Sequence, residues 1–333
     1  MDQNSSGPTP DLSTPSSTTP APIATIDVGT NTTLLLVARP RPGAAPSDAE
    51  VLVDAAEITR LGRGIGNAGD LGQEGIQATL VALEIYTRTA AHYGAPIAAV
   101  GTEALRRAPN ASAFLIPAEK ILGAPVAVID GDREAELTFR AVRESFAGEM
   151  ARGRAAVVDI GGGSTEIIIA DRGAVTFRRS LPLGSVRLHE RHIHHDPPLP
   201  SELRELEAEI SAMLDQIPQA FSGAGGTGPA PVMLVGVAGT VTSLAAMAMD
   251  LASYDSARVH GAVLSMGDVD AQITRLAGAT QAEREQIAGL DPRRADVILA
   301  GALLLREITR RAGLAAIRVS DRGIKWGLFY ERA

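Results

Sequence analysis

The chain has 333 residues, of which 45% are hydrophobic and 21% are charged, as is typical of a globular protein with a full hydrophobic core. It contains no cysteine, which excludes disulfide bonds and thiolate metal sites and favours a cytoplasmic location. A formal net charge of −8 argues against a broad nucleic-acid-binding surface, and no stretch approaches the roughly 20 apolar residues of a membrane span.

The first 21 residues are rich in Ser, Thr and Pro and carry almost no large apolar side chains. Such a segment cannot bury enough surface to offset the entropy that it would lose on ordering. We therefore expect a disordered tail. The segment also lacks the basic start and the apolar run of a secretory signal peptide.

The next part of the chain is expected to form three strands and then alternating helices and strands. Short apolar runs predict strands at residues 23–26, 34–37 and 51–53, and three early antiparallel strands argue against a simple Rossmann-type start. Helical spacing of apolar residues, interrupted by further short runs, then predicts helices at 73–93, 110–122 and 132–145 and strands at 97–100 and 126–129.

The strand pattern restarts at residue 155. Strands are predicted at 156–160, 165–170 and 174–178, followed by a helix at 201–217 with Ser201 as its N-cap and a strand at 233–235. A flexible loop is expected at 223–231, a helix from 240, a long helix that opens at Asp291-Pro292 and closes at Gly313, a strand at 317–319 and a final helix. The order strand, acidic residue, Gly-rich turn, strand thus occurs twice, which indicates a structural duplication.

Three Gly-rich turns follow three predicted strands, at residues 27–31, 159–164 and 236–240. Glycine lets the backbone approach an anion closely and adopt positive φ, and exposed N–H groups in such turns bind anions. The third turn runs into a helix, whose dipole would favour phosphate near Gly239 and Thr240. One such turn alone is usually a simple strand end, whereas three together predict a phosphate-binding site.

Carboxylates lie at or beside two of these turns, namely Asp27, Asp159 and Glu166. A carboxylate beside a phosphate requires a cation between the two, unless these residues are merely solvated strand-end acids. Mg²⁺ takes one or two carboxylates together with substrate oxygens and water. We therefore predict Mg²⁺, with Mn²⁺ as the alternative, on these three side chains.

Eight segments resemble, in the same order, those of the exopolyphosphatase/guanosine pentaphosphate phosphohydrolase family. They are TIDVGTNTTLLLV, GTEALRRAPN, DGDREAELTF, VVDIGGGSTEII, SLPLGSVRL, VGVAGTVTSLAAM, DPRRADVILAGALLL and VSDRGIKWGL. The resemblance covers about residues 23–328 and implies the actin-like, sugar-kinase-like superfold of that family. The expected fold class is therefore α/β, with two ribonuclease-H-like domains at 22–136 and 137–333 around a cleft.

The resemblance also implies roles for individual side chains. Glu134 matches the glutamate that orients and deprotonates the attacking water, and Glu166 matches the second essential glutamate, which acts through metal or water. Asp159 would help to hold the metal, and Arg106 would grip the phosphate chain with its planar guanidinium. The residues expected to cradle phosphates are Gly29, Thr30, Asn31, Gly162, Gly163, Ser164 and Thr165.

The chain departs from the common family pattern at a few positions. Arg133 stands where many relatives have an acidic residue, Glu136 stands where many have a basic one, and Lys325-Trp326 replaces the usual Arg-Glu. These changes bear on substrate preference more than on the reaction. The chain also stops soon after the second domain, so we expect a short form that prefers shorter substrate chains and acts with lower processivity.

The implied activity is hydrolysis of the terminal phosphate of inorganic polyphosphate by direct in-line attack of water, with no phosphoenzyme. The closest alternative is removal of the 5′ γ-phosphate of guanosine pentaphosphate, which needs a base pocket that an aromatic content of 3% does not obviously supply. Two further alternatives are a kinase of the same superfold and a non-catalytic sensor. A kinase would not need the DGDREAE and GTEALRR segments, and a sensor would not need Glu134 and Glu166. We expect no nucleic-acid or membrane partner, and a homodimer.

Four histidines lie close together in the sequence at positions 189, 192, 194 and 195. Imidazoles at such spacing can bind transition metals, but these lie outside the carboxylate group, and we expect a solvated loop instead. Nearby arginines could either supply a local positive field for a polyanion or form an ordinary mixed-charge surface. They are Arg178, Arg179, Arg187 and Arg191.

Overall fold

The computed structural model describes residues 20–65, 69–217 and 231–333. Within these residues, two β-sheets packed against helices lie on either side of a cleft. The predicted tail, except for its last two residues, and the predicted loop at 223–231, except for its last residue, lie outside the described residues. No helix in the described part of the chain has the length and apolar character needed to cross a bilayer.

The first sheet contains five strands in the order β3-β2-β1-β4-β5. Strand β2 runs antiparallel to both of its neighbours, β1 and β3, which confirms the predicted antiparallel start, whereas β4 and β5 run parallel to β1. The strands are β1 (Ile23–Val28), β2 (Thr32–Arg39), β3 (Glu50–Ile58), β4 (Ile97–Gly101) and β5 (Val126–Val128), and the helices are α1 (Gln73–His92), α2 (Glu103–Arg107) and α3 (Ser112–Leu122).

The second sheet contains six strands in the order β10-β11-β9-β6-β7-β8. Strands β8-β7-β6-β9-β11 repeat the order and the directions of the first sheet, and β10 adds an antiparallel edge strand. This repeated topology confirms the predicted fold class of two ribonuclease-H-like domains. The strands are β6 (Arg154–Ile160), β7 (Thr165–Asp171), β8 (Ala174–Leu181), β9 (Met233–Val237), β10 (Val263–Ser265) and β11 (Ala316–Val319).

The second half of the chain carries most of the helices. Helix α11 is buried along almost its whole length and lies at the centre of the largest hydrophobic core. The helices are α4 (Gly131–Met150), α5 (Ser185–His192), α6 (Pro200–Leu214), α7 (Ala238–Ala248), α8 (Ser256–Val259), α9 (Met266–Ala277), α10 (Gln281–Arg284), α11 (Ile298–Arg311) and α12 (Ile324–Tyr330).

Two predicted helix starts were wrong. Asp291 caps a separate 3-10 turn, Pro292–Arg294, and α11 begins only at Ile298. Helix α6 begins at Pro200, because proline at the first helical position loses no intrahelical hydrogen bond. Ser201 is therefore inside the helix, and the side chain of Glu202 accepts the backbone N–H of Leu199 at 2.9 Å instead.

Helices α4 and α12 join the two halves of the molecule. Helix α4 follows the first sheet but packs on β6, β7 and β8, whereas α12 follows the second sheet and packs on β1, β2 and α4. The two helices cross in backbone contact, since a Cβ on Gly327 would lie 2.0 Å from the carbonyl oxygen of Leu137. The Thr25 hydroxyl also donates to the carbonyl oxygen of Lys325 at 2.8 Å. This pair of helices therefore holds the two sheets in a defined relation to the cleft.

Candidate active site

The cleft between the two sheets encloses a cavity of about 910 Å³. All three Gly-rich turns contribute to its walls, together with carboxylates from both sheets and from α4. The predicted site residues that line it are Asp27, Gly29, Thr30, Asn31, Glu134, Asp159, Gly162, Gly163, Ser164, Glu166, Gly239 and Thr240. The fold thus brings together residues that are more than 200 positions apart in the chain.

The first two turns are structural equivalents. The Gly29 N–H donates to the carbonyl oxygen of Thr32 at 3.1 Å, and the Gly161 N–H donates to that of Ser164 at 3.0 Å. Each bond closes the turn between the first two strands of its sheet. A Cβ on Gly29 would lie 2.8 Å from the same Thr32 oxygen, so this tight turn requires glycine.

Glycines of these turns allow close packing, and they do not supply positive φ as expected. A Cβ on Gly162 would lie 3.2 Å from the Cβ atoms of Thr30 and Asn31, so the turns of the two domains touch. The residue of the third turn with positive φ is Ala238, at 68°, a conformation that is strained for a residue with a Cβ.

Four carboxylates face the cavity from different elements. Asp159 lies near the end of β6, directly opposite Glu166 on β7, and Asp27 occupies the matching place on β1. Helix α4 adds Glu134 and, one turn later, Thr138, whose hydroxyl donates to Asp159 Oδ2 at 2.8 Å. Residues four apart project from the same face of a helix, so α4 orients both groups toward the cluster.

Burial and mutual repulsion favour the protonated forms of these carboxylates. Burial, with the negative charges of Glu134 and Asp159, raises the pKa of Asp27 to about 8. Burial likewise raises the pKa of Glu134 to about 7 and that of Asp159 to about 6. The pKa of Glu166 is raised well above its usual value by burial and by the same neighbours. The cluster therefore favours a positive charge or bound protons.

Two predicted phosphate-binding residues do not line the cavity in the part of the chain that the structure describes. Arg106 donates from Nη1 to Glu134 Oε1 at 2.5 Å and to the carbonyl oxygen of Ile129 at 2.6 Å. Thr165 is fully buried, and its hydroxyl donates to the carbonyl oxygen of Leu183 at 2.8 Å. In this geometry Arg106 positions Glu134 and lowers its pKa, in opposition to burial.

The model of the Ppx/GppA phosphatase family matches residues 36–333. The chain belongs to this family. It is 34% identical over 322 residues to exopolyphosphatase 2 of Mycobacterium tuberculosis, which covers 92% of this chain and 97% of that protein. It is 28% identical to the guanosine-5′-triphosphate,3′-diphosphate pyrophosphatase of Vibrio cholerae, of which it spans 58%.

Solved structures of this family share the fold. The crystal structure of an exopolyphosphatase from Cytophaga hutchinsonii is 28% identical and superposes with a TM-score of 0.84, covering 93% of this chain and 97% of that one. The Ppx/GppA family member of Aquifex aeolicus is 30% identical, with a TM-score of 0.75 and coverage of 93% and 97%.

The carboxylate cluster of this family member fits a divalent cation. Asp27 Oδ1 is buried and has no hydrogen-bond partner among the described residues. No three His, Asp or Glu side chains within the described ranges form a metal cage by themselves. Mg²⁺ suits such a site, because it usually binds to one or two carboxylates and completes its shell with water and substrate phosphates.

Arg294 is a basic residue of the cleft that sequence reasoning missed. Its Nη1 lies 2.2 Å from the place of a Cβ on Gly239, and its Nη2 donates to the Thr32 hydroxyl at 3.0 Å. Its neighbour Arg293 pairs with two carboxylates, whereas Arg294 pairs with none among the residues that the structure describes. The sequence feature that could have indicated a basic site residue is the pair of arginines in DPRRAD, just before the buried helix α11.

Lys325 is another basic residue of the cleft that the sequence did not predict as part of the site. It is 5% exposed, lines the cavity and pairs with Asp54 on β3. Its charge also lowers the pKa of Asp27, against the stronger effect of burial. Lys325 therefore places a positive charge beside the carboxylate cluster.

The four histidines lie outside the main cavity. The expected solvated loop is wrong for His189 and His192, which are half-buried on helix α5, and among the residues that the structure describes only the side chains of His192 and His195 contact carboxylates. His192 Nε2 lies 2.5 Å from Glu209 Oε2, and His195 Nδ1 lies 2.8 Å from Glu202 Oε1. No metal-binding group involving them occurs in the described part of the chain. Three of the four nearby arginines are also ion-paired, namely Arg178, Arg187 and Arg191.

Proposed function

We propose that this protein is an exopolyphosphatase that releases orthophosphate from the end of inorganic polyphosphate. The observation that carries the proposal is the meeting of four buried carboxylates with three backbone turns in one cleft. Support comes from the exopolyphosphatase of M. tuberculosis, which matches this chain over almost the full length of both proteins. The cytoplasmic location and the homodimer stay predictions.

The general base in this proposal is Glu134. Its pKa of about 7 suits a group that must accept a proton near neutral pH. The ion pair with Arg106 holds the carboxylate at the start of α4, where it faces the cavity. In the proposed step, water attacks the terminal phosphorus, its proton passes to Glu134, and the bond to the bridging oxygen breaks. The shortened chain leaves on the opposite side.

The turns position the substrate. Backbone N–H groups of residues 30–31 and 162–164 and the hydroxyls of Thr30 and Ser164 would bind phosphate oxygens, while the Gly29 N–H closes its turn. The N-terminus of α7, with Gly239 and Thr240, and the guanidinium of Arg294 would hold the next phosphates. Positioning and charge neutralisation of this kind supply most of the catalysis in phosphoryl transfer.

Phosphatases of this family generally depend on a divalent cation. We propose Mg²⁺, with Mn²⁺ as a substitute, held by one or two of the carboxylates Asp27, Asp159 and Glu166 together with water and substrate oxygens. The cation would neutralise phosphate oxygens and compensate the repulsion between the clustered carboxylates. The unpartnered Asp27 oxygen supports this ligand set.

Arg294→Gln is expected to raise the KM for polyphosphate by about tenfold or more, because a charge-assisted bond to phosphate is worth about 1.5–3 kcal/mol. Steady-state phosphate release measures the effect. Arg310→Gln is the matched control, since Arg310 is 66% exposed and pairs with Glu307 away from the cleft. An unchanged KM in the Arg294 variant would remove this residue from the substrate site.

Hydrolysis of a substrate with a chiral terminal thiophosphate in ¹⁸O-labelled water is expected to invert the configuration at phosphorus. Direct in-line attack by water gives one inversion, whereas a phosphoenzyme gives two and hence retention. Stereochemical analysis of the released thiophosphate distinguishes the two. Retention would contradict Glu134 as a base that acts on water and would assign it, or a neighbour, as a nucleophile.

Guanosine pentaphosphate is the second candidate substrate. Tyr254, which is 51% exposed, lines the cavity together with Leu251 and Leu290. An aromatic ring beside apolar side chains is a surface on which a base can stack. The low aromatic content of the sequence had indicated no such surface. Polyphosphate contains no base that could stack there.

Phosphate release with Mg²⁺ from short polyphosphate, long polyphosphate and guanosine pentaphosphate, assayed side by side, tests the proposed function. We expect release from polyphosphate. Release only from the guanosine compound would make the second candidate correct. No release from any of the three would favour a sensor that binds these polyanions without cleaving them.

A further inference from the structure

A second cavity of about 240 Å³ adjoins the cleft across the phosphate-binding turns. It shares Thr30, Gly162 and Gly163 with the large cavity, so the backbone of these turns has open space on two sides. Among the residues that the structure describes, the lining of this smaller cavity includes none of the four clustered carboxylates. The two cavities therefore share the turns but differ in charge.

Glu103 forms the wall between the turns and the small cavity. It is 4% exposed, and it lies so close to Gly163 that a Cβ there would be 2.0 Å from Oε2. Arg107 donates to Oε1 at 3.1 Å, and Arg187 pairs with the same oxygen from the other domain. One buried carboxylate thus holds two guanidinium groups at the boundary between the domains.

The small cavity has a positive lining. Arg107, Arg187 and Arg191 contribute to it, against the carboxylates of Glu103 and Glu190. The carboxylate of Glu190 already accepts the N–H of Gly64 at 2.7 Å, while Arg191 also pairs with Glu209 outside the lining. The side chains of Arg107 and Arg191 are 37% and 51% exposed, so both can meet an anion that arrives from solvent or from the turns.

The arginines of the small cavity would attract orthophosphate that is released at the turns. Their guanidinium groups lie on the far side of Thr30 and Gly163 from the carboxylate cluster, where they can bind an anion. Each of the three guanidinium groups is a planar fork of N–H donors, which suits phosphate oxygens. The available volume is below the roughly 300 Å³ of a typical small-molecule pocket, which suits a single small anion.

We propose that the small cavity is an orthophosphate-binding subsite beside the exit of the cleft, and that Glu103 closes it by competing with the anion for Arg107 and Arg187. The source of the phosphate rests on the proposed function, whereas the binding chemistry rests only on the lining residues. When phosphate enters, the two guanidinium groups exchange the carboxylate for phosphate oxygens. No covalent step is involved.

A competing carboxylate and attracting arginines in one cavity predict opposite effects of two charge changes. Glu103→Gln removes the competing charge and should tighten orthophosphate binding several-fold. Arg107→Gln with Arg191→Gln removes two attracting charges and should weaken binding by about tenfold or more. A merely structural role of these residues would instead lower stability in both variants and would not give affinity shifts of opposite sign.

Isothermal titration of the full chain with inorganic phosphate, in EDTA so that the carboxylate cluster holds no cation, measures this binding. Arg178→Gln is the control, because Arg178 is 45% exposed and is found in neither described cavity lining. We expect wild-type affinity in the control, weaker binding in the double arginine variant and tighter binding in Glu103→Gln. Thermal melts identify any variant that does not fold. If Glu103→Gln does not fold, the affinity of the double variant, Arg107→Gln with Arg191→Gln, tests the subsite.

No binding by the wild type, or an unchanged affinity in the double arginine variant, would overturn the subsite. Phosphate release from polyphosphate is measured on the same preparations. Hydrolysis without orthophosphate binding would contradict the subsite and leave the proposed function standing. Orthophosphate binding without hydrolysis of any substrate would contradict the proposed function and leave the subsite standing.

Discussion

Glu134→Gln is expected to lower the rate of phosphate release from polyphosphate by about 10³-fold, because a general base contributes roughly 10²–10⁴-fold. The amide has nearly the same shape, and its oxygen can still accept the bond from Arg106, but it cannot take a proton from water. Affinity for the substrate should change little. Steady-state kinetics with polyphosphate and Mg²⁺ measure kcat and KM separately.

Glu136→Gln is the matched control for this prediction. Glu136 lies on the same helix, its side chain is 46% exposed, and it pairs with Arg133 at 2.8 Å away from the cavity. Its variant should keep the wild-type rate within about twofold, as surface substitutions usually do. Equal losses in both variants, or activity retained in Glu134→Gln, would show that the base is another residue.

The pH dependence of the rate adds an independent signature of the base. Since burial raises the pKa of Glu134 to about 7, the wild-type rate should fall as the pH drops below about 7 and this carboxylate takes up a proton. The residual rate of Glu134→Gln should lack that acid limb. If both proteins showed an acid limb with the same midpoint, the group that titrates there would not be Glu134.

Asp27→Asn is expected to stabilise the cation-free protein at neutral and alkaline pH. The pKa of Asp27 is 3.8 in an ordinary setting and about 8 in the fold, so the folded state binds a proton more tightly than the unfolded state. Its stabilising contribution is complete below about pH 4 and is lost as the pH rises through about 8. A shift of this size corresponds to about 6 kcal/mol, at about 1.36 kcal/mol per pH unit.

Thermal melts from about pH 4 to about pH 9, in EDTA, measure this effect. The gap between Asp27→Asn and wild type should be near zero at the acid end and should grow with pH. Asp132→Asn is the control, because that side chain is 63% exposed. Excess Mg²⁺ should shrink or reverse the gap, since the carboxylate binds the cation and the amide does so poorly. Parallel curves without a gap would show that the folded protein already compensates the charge of Asp27.

Local patterns were enough to predict the strands that carry the site. Apolar runs on either side of an acidic residue and a Gly-rich turn specify β1, β2, β6 and β7, because strand formation and tight turning depend on residues near in sequence. Other elements were not predicted. Strand β10 has three residues, too few for a periodic pattern, and α9 was overlooked although Ser265 and Asp268 form a capping box at its start.

The sequence by itself determined the duplicated order of strands, the three turns, the acidic residues beside them and membership in a phosphatase family. Only the tertiary structure decided that Arg106 pairs with Glu134 and that Arg294 packs over Gly239. These contacts join residues from separate elements, and they exist only once α4 and α12 have set the two sheets around the cleft. The raised pKa values have the same origin, because they depend on burial and on distances between charges that the linear chain does not contain.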